Sequence, residues 1–180
     1  YSFQAKEDIV VNDAIVPNNT SQKDSREKIW DIVKETRTII KDSNVVIPGS
    51  AELEISHHYG IENFHEFGLV MLTIVNRDYC KKLLISLPGQ KHPEQYHKQK
   101  EETFHVLYGS VDLELDGQVQ TCKPGDVITI KPETRHAFVS RGGAVIEEIS
   151  STHYKDDSFY TDETIATNKN RKTLLSHWMG

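Results

Sequence analysis

Between Gly89 and Gly109 the chain reads Gly-Gln-Lys-His-Pro-Glu-Gln-Tyr-His-Lys-Gln-Lys-Glu-Glu-Thr-Phe-His-Val-Leu-Tyr-Gly. Pro124-Gly125-Asp126 and Pro132-Glu133-Thr134-Arg135-His136 follow. The side chains in these stretches that could do chemistry are His97, Glu102 and His136. Two imidazoles and a carboxylate hold a divalent first-row metal while leaving coordination positions open for a substrate. Such a site does Lewis-acid chemistry on oxygen-bearing molecules. Gln95 lies two residues before His97, and Lys82 and Glu148 are further groups that could handle charge or protons.

These residues work together only if the fold brings distant parts of the chain to one place. Leu69–Val75, Lys82–Leu87, Thr103–Tyr108, Val111–Leu115, Val119–Cys122, Val127–Lys131, Ala137–Ser140 and Ala144–Ser150 are short runs rich in β-branched and aromatic residues, and they are read as strands. Gly109-Ser110 and Asp116-Gly117 are hairpin turns. Strands this closely spaced, with no long helix between them, predict an antiparallel barrel or double-sheet jelly roll. On a strand every second residue shares a face. Glu102 therefore goes with Phe104, Val106 and Tyr108, His136 with Phe138, and Gln95 with His97. His105 falls on the face opposite Glu102 and reads as structural. His57 and His58 are adjacent and point apart, so they are not read as a metal pair. Only one of Glu147 and Glu148 can face the cavity.

Ahead of the strands, Ile29, Ile32, Val33, Thr36, Ile39 and Ile40 recur at helical spacing. They predict an amphipathic helix over 25–42, capped by Ser25 and lying on the barrel or on a partner. Asn18–Lys23 reads as a loop. The expected organisation is an N-terminal linker and helix over 1–50, a β-barrel over 51–165 and a tail over 166–180 with a short helix near Lys172–Trp178. The chain begins at Tyr1, as a trimmed protein or a domain of a longer one would.

At 180 residues the chain is sized for one well-buried domain. Asp and Glu number 27 against 21 Lys and Arg, and the basic residues form no stripe, which argues against a nucleic-acid partner. No apolar run reaches membrane-spanning length, so no membrane partner is expected. Cys80 and Cys122 are far apart in strand-like segments and read as reduced thiols of a cytoplasmic protein.

The spacing of Gly89, Gln95, His97, Glu102 and Gly109, followed by Pro124-Gly125-Asp126, Pro132 and His136, resembles the two motifs of the cupin superfamily. The resemblance implies an all-β fold, the double-stranded β-helix or jelly-roll barrel, here with the N-terminal helix and C-terminal tail added. It also implies a divalent metal (Mn, Fe, Ni or Zn) held by Gln95, His97, Glu102 and His136. Gln95 stands where cupins usually carry their first histidine. An amide oxygen coordinates more weakly than imidazole. Three readings therefore stay open at that position: looser metal binding, a substrate contact, or His92 turning in. A cupin shell without metal is a fourth. Within the superfamily, Asn76–Lys82, Pro88-Gly89-Gln90, Glu102-Thr103-Phe104, Glu148–Thr152 and Phe159–Asp162 are similar to D-lyxose isomerase-type sugar isomerases. The domain also resembles cupins appended to enzymes of nonulosonic (sialic-acid-like) sugar synthesis.

An aldose–ketose isomerase moves a proton between C1 and C2 and must stabilise an enediolate. In that frame the metal acts as Lewis acid. Lys82, which matches a family lysine, stabilises the oxyanion, and Glu148 serves as the base. The expected partner is a sugar or sugar phosphate, and the expected assembly a homodimer. The alternative is a non-catalytic sugar-binding or assembly module beside a sugar-acid synthase, which Gln95 favours.

Overall fold

The computed structural model describes residues 20–179. The expectations for the first nineteen residues lie outside the described part. Among the described residues, two antiparallel sheets dominate. The larger contains β1 (Glu52–His57), β2 (Gly68–Asn76), β3 (Tyr79–Ser86), β5 (Glu102–Gly109), β8 (Val127–Ile130), β10 (Ala144–Ser151) and β12 (Lys172–Leu175). Its order is β12-β1-β2-β3-β10-β5-β8. The smaller contains β4 (Lys91–Tyr96), β6 (Val111–Leu115), β7 (Gln118–Cys122), β9 (His136–Val139) and β11 (Phe159–Tyr160), in the order β11-β4-β9-β6-β7. All eight strands read from composition and turn spacing are present. The jelly-roll expectation of an all-β fold with one long N-terminal helix holds.

Two apolar layers explain the arrangement. Leu84, Phe104, Val106, Leu113, Phe138 and Ile146 fill the space between the sheets. On the far side of the larger sheet, Leu53, Leu72, Leu83 and Ile85 pack against Ile29, Ile32 and Val33. Those last three belong to helix α1 (Thr20–Ser43). Strand β3 is thus buried on both faces, and its Leu83-Leu84-Ile85 run is the pattern that requires. Each such side chain contributes about 2 kcal/mol by leaving water. The helix stripe lies on the barrel. Its one polar member, Thr36, is fully buried and donates its hydroxyl to the Ile32 carbonyl (2.7 Å).

Three local expectations need correction. The helix begins at Thr20, so Thr20–Lys23 is helical rather than loop, and Ser25 lies inside the helix rather than capping it. An Asp24–Lys28 ion pair (3.0 Å) one turn apart supports this earlier start. Lys172–Trp178 is not a helix: Lys172–Leu175 is β12, paired with β1 with Leu53 opposite Leu175. The hydrogen bonds offered by the open edge of β1 outweigh a weak local helical preference. Strands β1, β4 and β11 lie outside the runs the sequence marks as strands. β4 contains Pro93 and few β-formers, and its pairing with β9 and β11 comes from distant residues.

Two turns show why their residues are present. Asp116 and Gly117 both have positive φ (47° and 81°), as a two-residue hairpin needs. Gly109 has φ 70° where β5 meets β10. A Cβ there would lie 2.0 Å from the Gly143 carbonyl oxygen, so no larger residue fits.

The C-terminal segment straps across the strand ends. The His57 amide donates to the Arg171 carbonyl (2.8 Å), and the Tyr59 hydroxyl donates to Asp162 (2.5 Å). Asp162 also caps helix α2 (Glu163–Thr167) through the Thr164 amide (2.7 Å). The Trp178 indole donates to the Ala51 carbonyl (2.9 Å). Cys80 and Cys122 are free and buried, as read from the sequence. No described helix is long and apolar enough to cross a membrane.

Candidate metal centre

His97 follows β4, Glu102 opens β5 and His136 opens β9. One donor atom from each lies within 4.8 Å of the others, and all three residues are buried. Two features of the fold create this cluster. Antiparallel pairing of β4 with β9 sets Gln95 opposite His136, and closure of the two sheets brings Glu102 across from the larger one. Glu102 Oε1 lies 2.9 Å from His136 Nε2, and Glu102 Oε2 lies 3.6 Å from His97 Nε2.

The outer partners of the imidazoles fix their tautomers. His97 Nδ1 donates to the main-chain carbonyl of Asp157, and His136 Nδ1 donates to that of Thr134 (3.0 Å). A carbonyl only accepts, so Nδ1 carries the hydrogen in both rings, and in the neutral imidazole each Nε2 turns a lone pair toward Glu102. Buried acceptors facing one another are unfavourable without a cation or a proton among them. His97 Nε2 and Glu102 Oε1 have no aligned hydrogen-bond partner. Burial disfavours charge on His136, but the Glu102 carboxylate outweighs burial and raises the imidazole pKa. Burial likewise pushes Glu102 up, yet Lys100, His136 and His97 together hold its carboxyl well below the usual range. An ionised carboxylate with two pre-oriented Nε2 donors fits a divalent metal. The Gln95 amide nitrogen lies 3.5 Å from His136 Nε2. A half-turn of that amide would present its oxygen to the same point.

His92 is not among the converging donors. Its ring stacks on Phe138 with centroids 4.9 Å apart, so it holds a wall of the cavity rather than turning in. Burial drives its pKa well down, leaving it neutral. His105 faces outward, 3.2 Å from Glu147, which also pairs with Lys81 (2.6 Å).

Next to the cluster, register places Glu148 directly opposite Lys82 on one side and Phe104 on the other. Glu148 therefore faces the cavity and Glu147 faces out. Both Lys82 and Glu148 are buried and line the same cavity as the cluster. Burial lowers the Lys82 pKa, only partly offset by Glu148. Between the cluster and Glu148 sits a residue that the sequence reading passed over. Lys100 Nζ lies 2.5 Å from Glu102 and 2.8 Å from Glu148. Burial opposes its charge, but the Glu148 and Glu102 carboxylates prevail and raise its pKa. The signal for it was available. Lys100 stands two residues before Glu102, on the same side of an extended chain.

Asp157 was also missed, and nothing local announces it. Its carboxylate accepts from the amides of Lys98 (2.9 Å), Gln99 (3.2 Å) and Lys100 (2.9 Å), while its own carbonyl orients His97. One buried residue thus sets both the His97 ring and the turn that delivers Lys100. Asp157→Ala is expected to weaken metal binding by about 10- to 100-fold. It is also expected to cost about 3 kcal/mol of stability, because three charge-assisted bonds are lost. Metal titration and thermal unfolding of the variant check this. Wild-type affinity would refute it.

The remaining wall is apolar (Leu69, Met71, Leu84) and basic. On a chain of net charge −6, Lys82, Lys100, Arg171 and Lys172 line the cavity against Glu102 and Glu148. The local excess of positive charge suits an anionic group or intermediate.

The pattern of the cupin domain matches residues 83–149. The chain is 30% identical over 171 residues to the D-lyxose/D-mannose isomerase of Thermosediminibacter oceani, covering 78% of this chain and 94% of that protein. It is 27% identical over 172 residues to the D-lyxose ketol-isomerase of a Thermofilum species, covering 79% and 92%. Among solved structures, L-ribose isomerase of Cellulomonas parahominis superposes with a TM-score of 0.68 at 14% identity, over 81% of this chain and 96% of that one. The Geodermatophilus obscurus L-ribose isomerase gives 0.66 at 15% identity, over 82% and 97%. At such identity these structures speak to the fold.

Proposed function

The chain belongs to the D-lyxose/D-mannose isomerase family of cupins, and on that premise we propose that it is a metal-dependent sugar isomerase moving a proton between C1 and C2 of an aldose and its ketose. The observation that carries this reading is the convergence of His97, Glu102 and His136 beside the Glu148–Lys82 pair in one buried cavity.

His97, Glu102 and His136 would hold the ion, with the Gln95 amide as its fourth neighbour. When bound, a divalent metal supplies Lewis-acid polarisation of the sugar oxygens and charge stabilisation of several kcal/mol. The chain supplies the rest. Glu148 takes the proton from one carbon and returns it to the adjacent carbon on the same face. Lys82, opposite it across the sheet, stabilises the oxygen that gains charge. Lys100 bridges Glu102 and Glu148, which fixes the base relative to the ion-binding carboxylate. Phe104 and Phe138 keep water from the reacting carbons. The basic wall supports a sugar phosphate as well as a free sugar. A cytoplasmic homodimer is part of the same proposal.

The test is solvent exchange. In deuterated water with metal present, the protein is expected to place deuterium at C1 or C2 of an aldose or ketose. The panel should hold D-lyxose, D-mannose, their phosphates, and amino and nonulosonic-type sugars. Binding without exchange across the panel would replace this reading with the sugar-binding module that Gln95 favours.

A further inference from the structure

Part of the cavity wall has no role in the chemistry above. Tyr160 lines the cavity, and His58 lies behind it, fully buried. His58 Nδ1 is 2.9 Å from the Phe67 carbonyl, which only accepts, so Nδ1 carries the hydrogen. Burial lowers the His58 pKa to about 4, so the ring is neutral and Nε2 offers only a lone pair. Tyr160 Oη lies 3.1 Å from that Nε2 and must be the donor. A phenol keeps its proton at neutral pH. The proton is committed to the protein interior, and lone pairs alone remain for the cavity. The ring is held in place as well. Tyr160 pairs with Gln95 across β11 and β4, and the Arg171 guanidinium sits over it at 4.9 Å.

We infer that Tyr160 is a specificity-determining residue that accepts a hydrogen bond from one hydroxyl of the substrate, its polarity fixed by the relay through His58 to the Phe67 carbonyl. The inference rests on the isomerase reading and deepens it. At this wall the substrate presents an O–H donor. A carbonyl, fluorine or phosphate oxygen at the same place meets a lone pair and is rejected.

The experiment is a deoxy scan. The sugar that the wild type isomerises fastest is compared with its monodeoxy and monofluoro analogues, in wild type, Tyr160→Phe and His58→Phe. In the wild type one deoxy analogue is expected to lose about 10- to 100-fold in kcat/KM, mostly in KM. Tyr160→Phe is expected to bring the parent sugar to that same level and to abolish the penalty for that analogue alone. His58→Phe releases the phenolic proton, so the fluoro analogue at that position should gain about tenfold relative to the parent. Equal penalties in wild type and Tyr160→Phe, or a fluoro analogue unmoved by His58→Phe, would overturn the inference. Calorimetric binding of D-arabinitol and its monodeoxy analogues repeats the comparison without turnover. A protein that isomerises nothing can therefore still confirm or refute the role of Tyr160. Metal content and thermal unfolding of each variant separate loss of fold from loss of contact.

Discussion

Glu148→Gln is expected to lower kcat by about 10²- to 10⁴-fold, the usual contribution of a positioned base, with metal content unchanged. The amide keeps the shape of the side chain and its place between Lys82 and Phe104, so substrate should still enter. What it cannot do is take a proton from carbon. The expected signature is a collapse of deuterium incorporation together with the turnover rate, with KM altered far less. Some stability will be lost, because the Lys100 ammonium keeps only Glu102 as a charged partner. Thermal unfolding therefore accompanies the kinetics. A folded variant that exchanges deuterium at the wild-type rate would remove Glu148 from the mechanism.

Removing an ion-binding group should act on a different observable. Wild-type protein is expected to hold about one equivalent of Mn, Fe, Ni or Zn per chain, and His136→Ala close to none. Metal at a thousandfold excess over its Kd adds about 4 kcal/mol to the stability of a protein that binds it only when folded. For a chain of this size that is roughly 10 °C in Tm, and the variant should lose the whole shift. It should nevertheless stay folded. His136 sits at the first position of β9, and main-chain bonds to β4 and β6 hold that strand whatever its side chain. Elemental analysis and unfolding scans with and without chelator decide the matter. A wild-type protein that takes up no metal would sink the proposed site, and a variant that fails to fold would make His136 a structural residue.

What the sequence disclosed follows from the range of the forces involved. Alternation along β5 placed Glu102, Phe104 and Val106 on one face, and the burial pattern follows it. The Asp116-Gly117 and Gly109 turns were legible because positive φ restricts the choice of residue. Glu148 could not be separated from Glu147 by pattern alone, since only the register with Lys82 decides which one faces inward. Lys172–Leu175 lacks the run of β-branched and aromatic residues that marked the other strands, and its pairing partner lies more than a hundred residues earlier. Asp157 and Tyr160 escaped for the same reason. Each acts on a group far away in the chain, and no local composition records that. Lys100 is the avoidable omission, because it shared the extended-chain side of Glu102.

The strap formed by the C-terminal segment has a temporal consequence. A polypeptide leaves the ribosome in order, so His97, Glu102 and His136 emerge before the residue that steers His97, Asp157, and well before Tyr160 and Arg171 close the wall. A nascent chain halted at residue 150 would carry every ion-binding side chain but neither the Asp157 clamp nor the Tyr160 acceptor. On the isomerase reading, the side chains that would hold the ion are thus synthesised first, and the residues that orient His97 and close the cavity wall follow them.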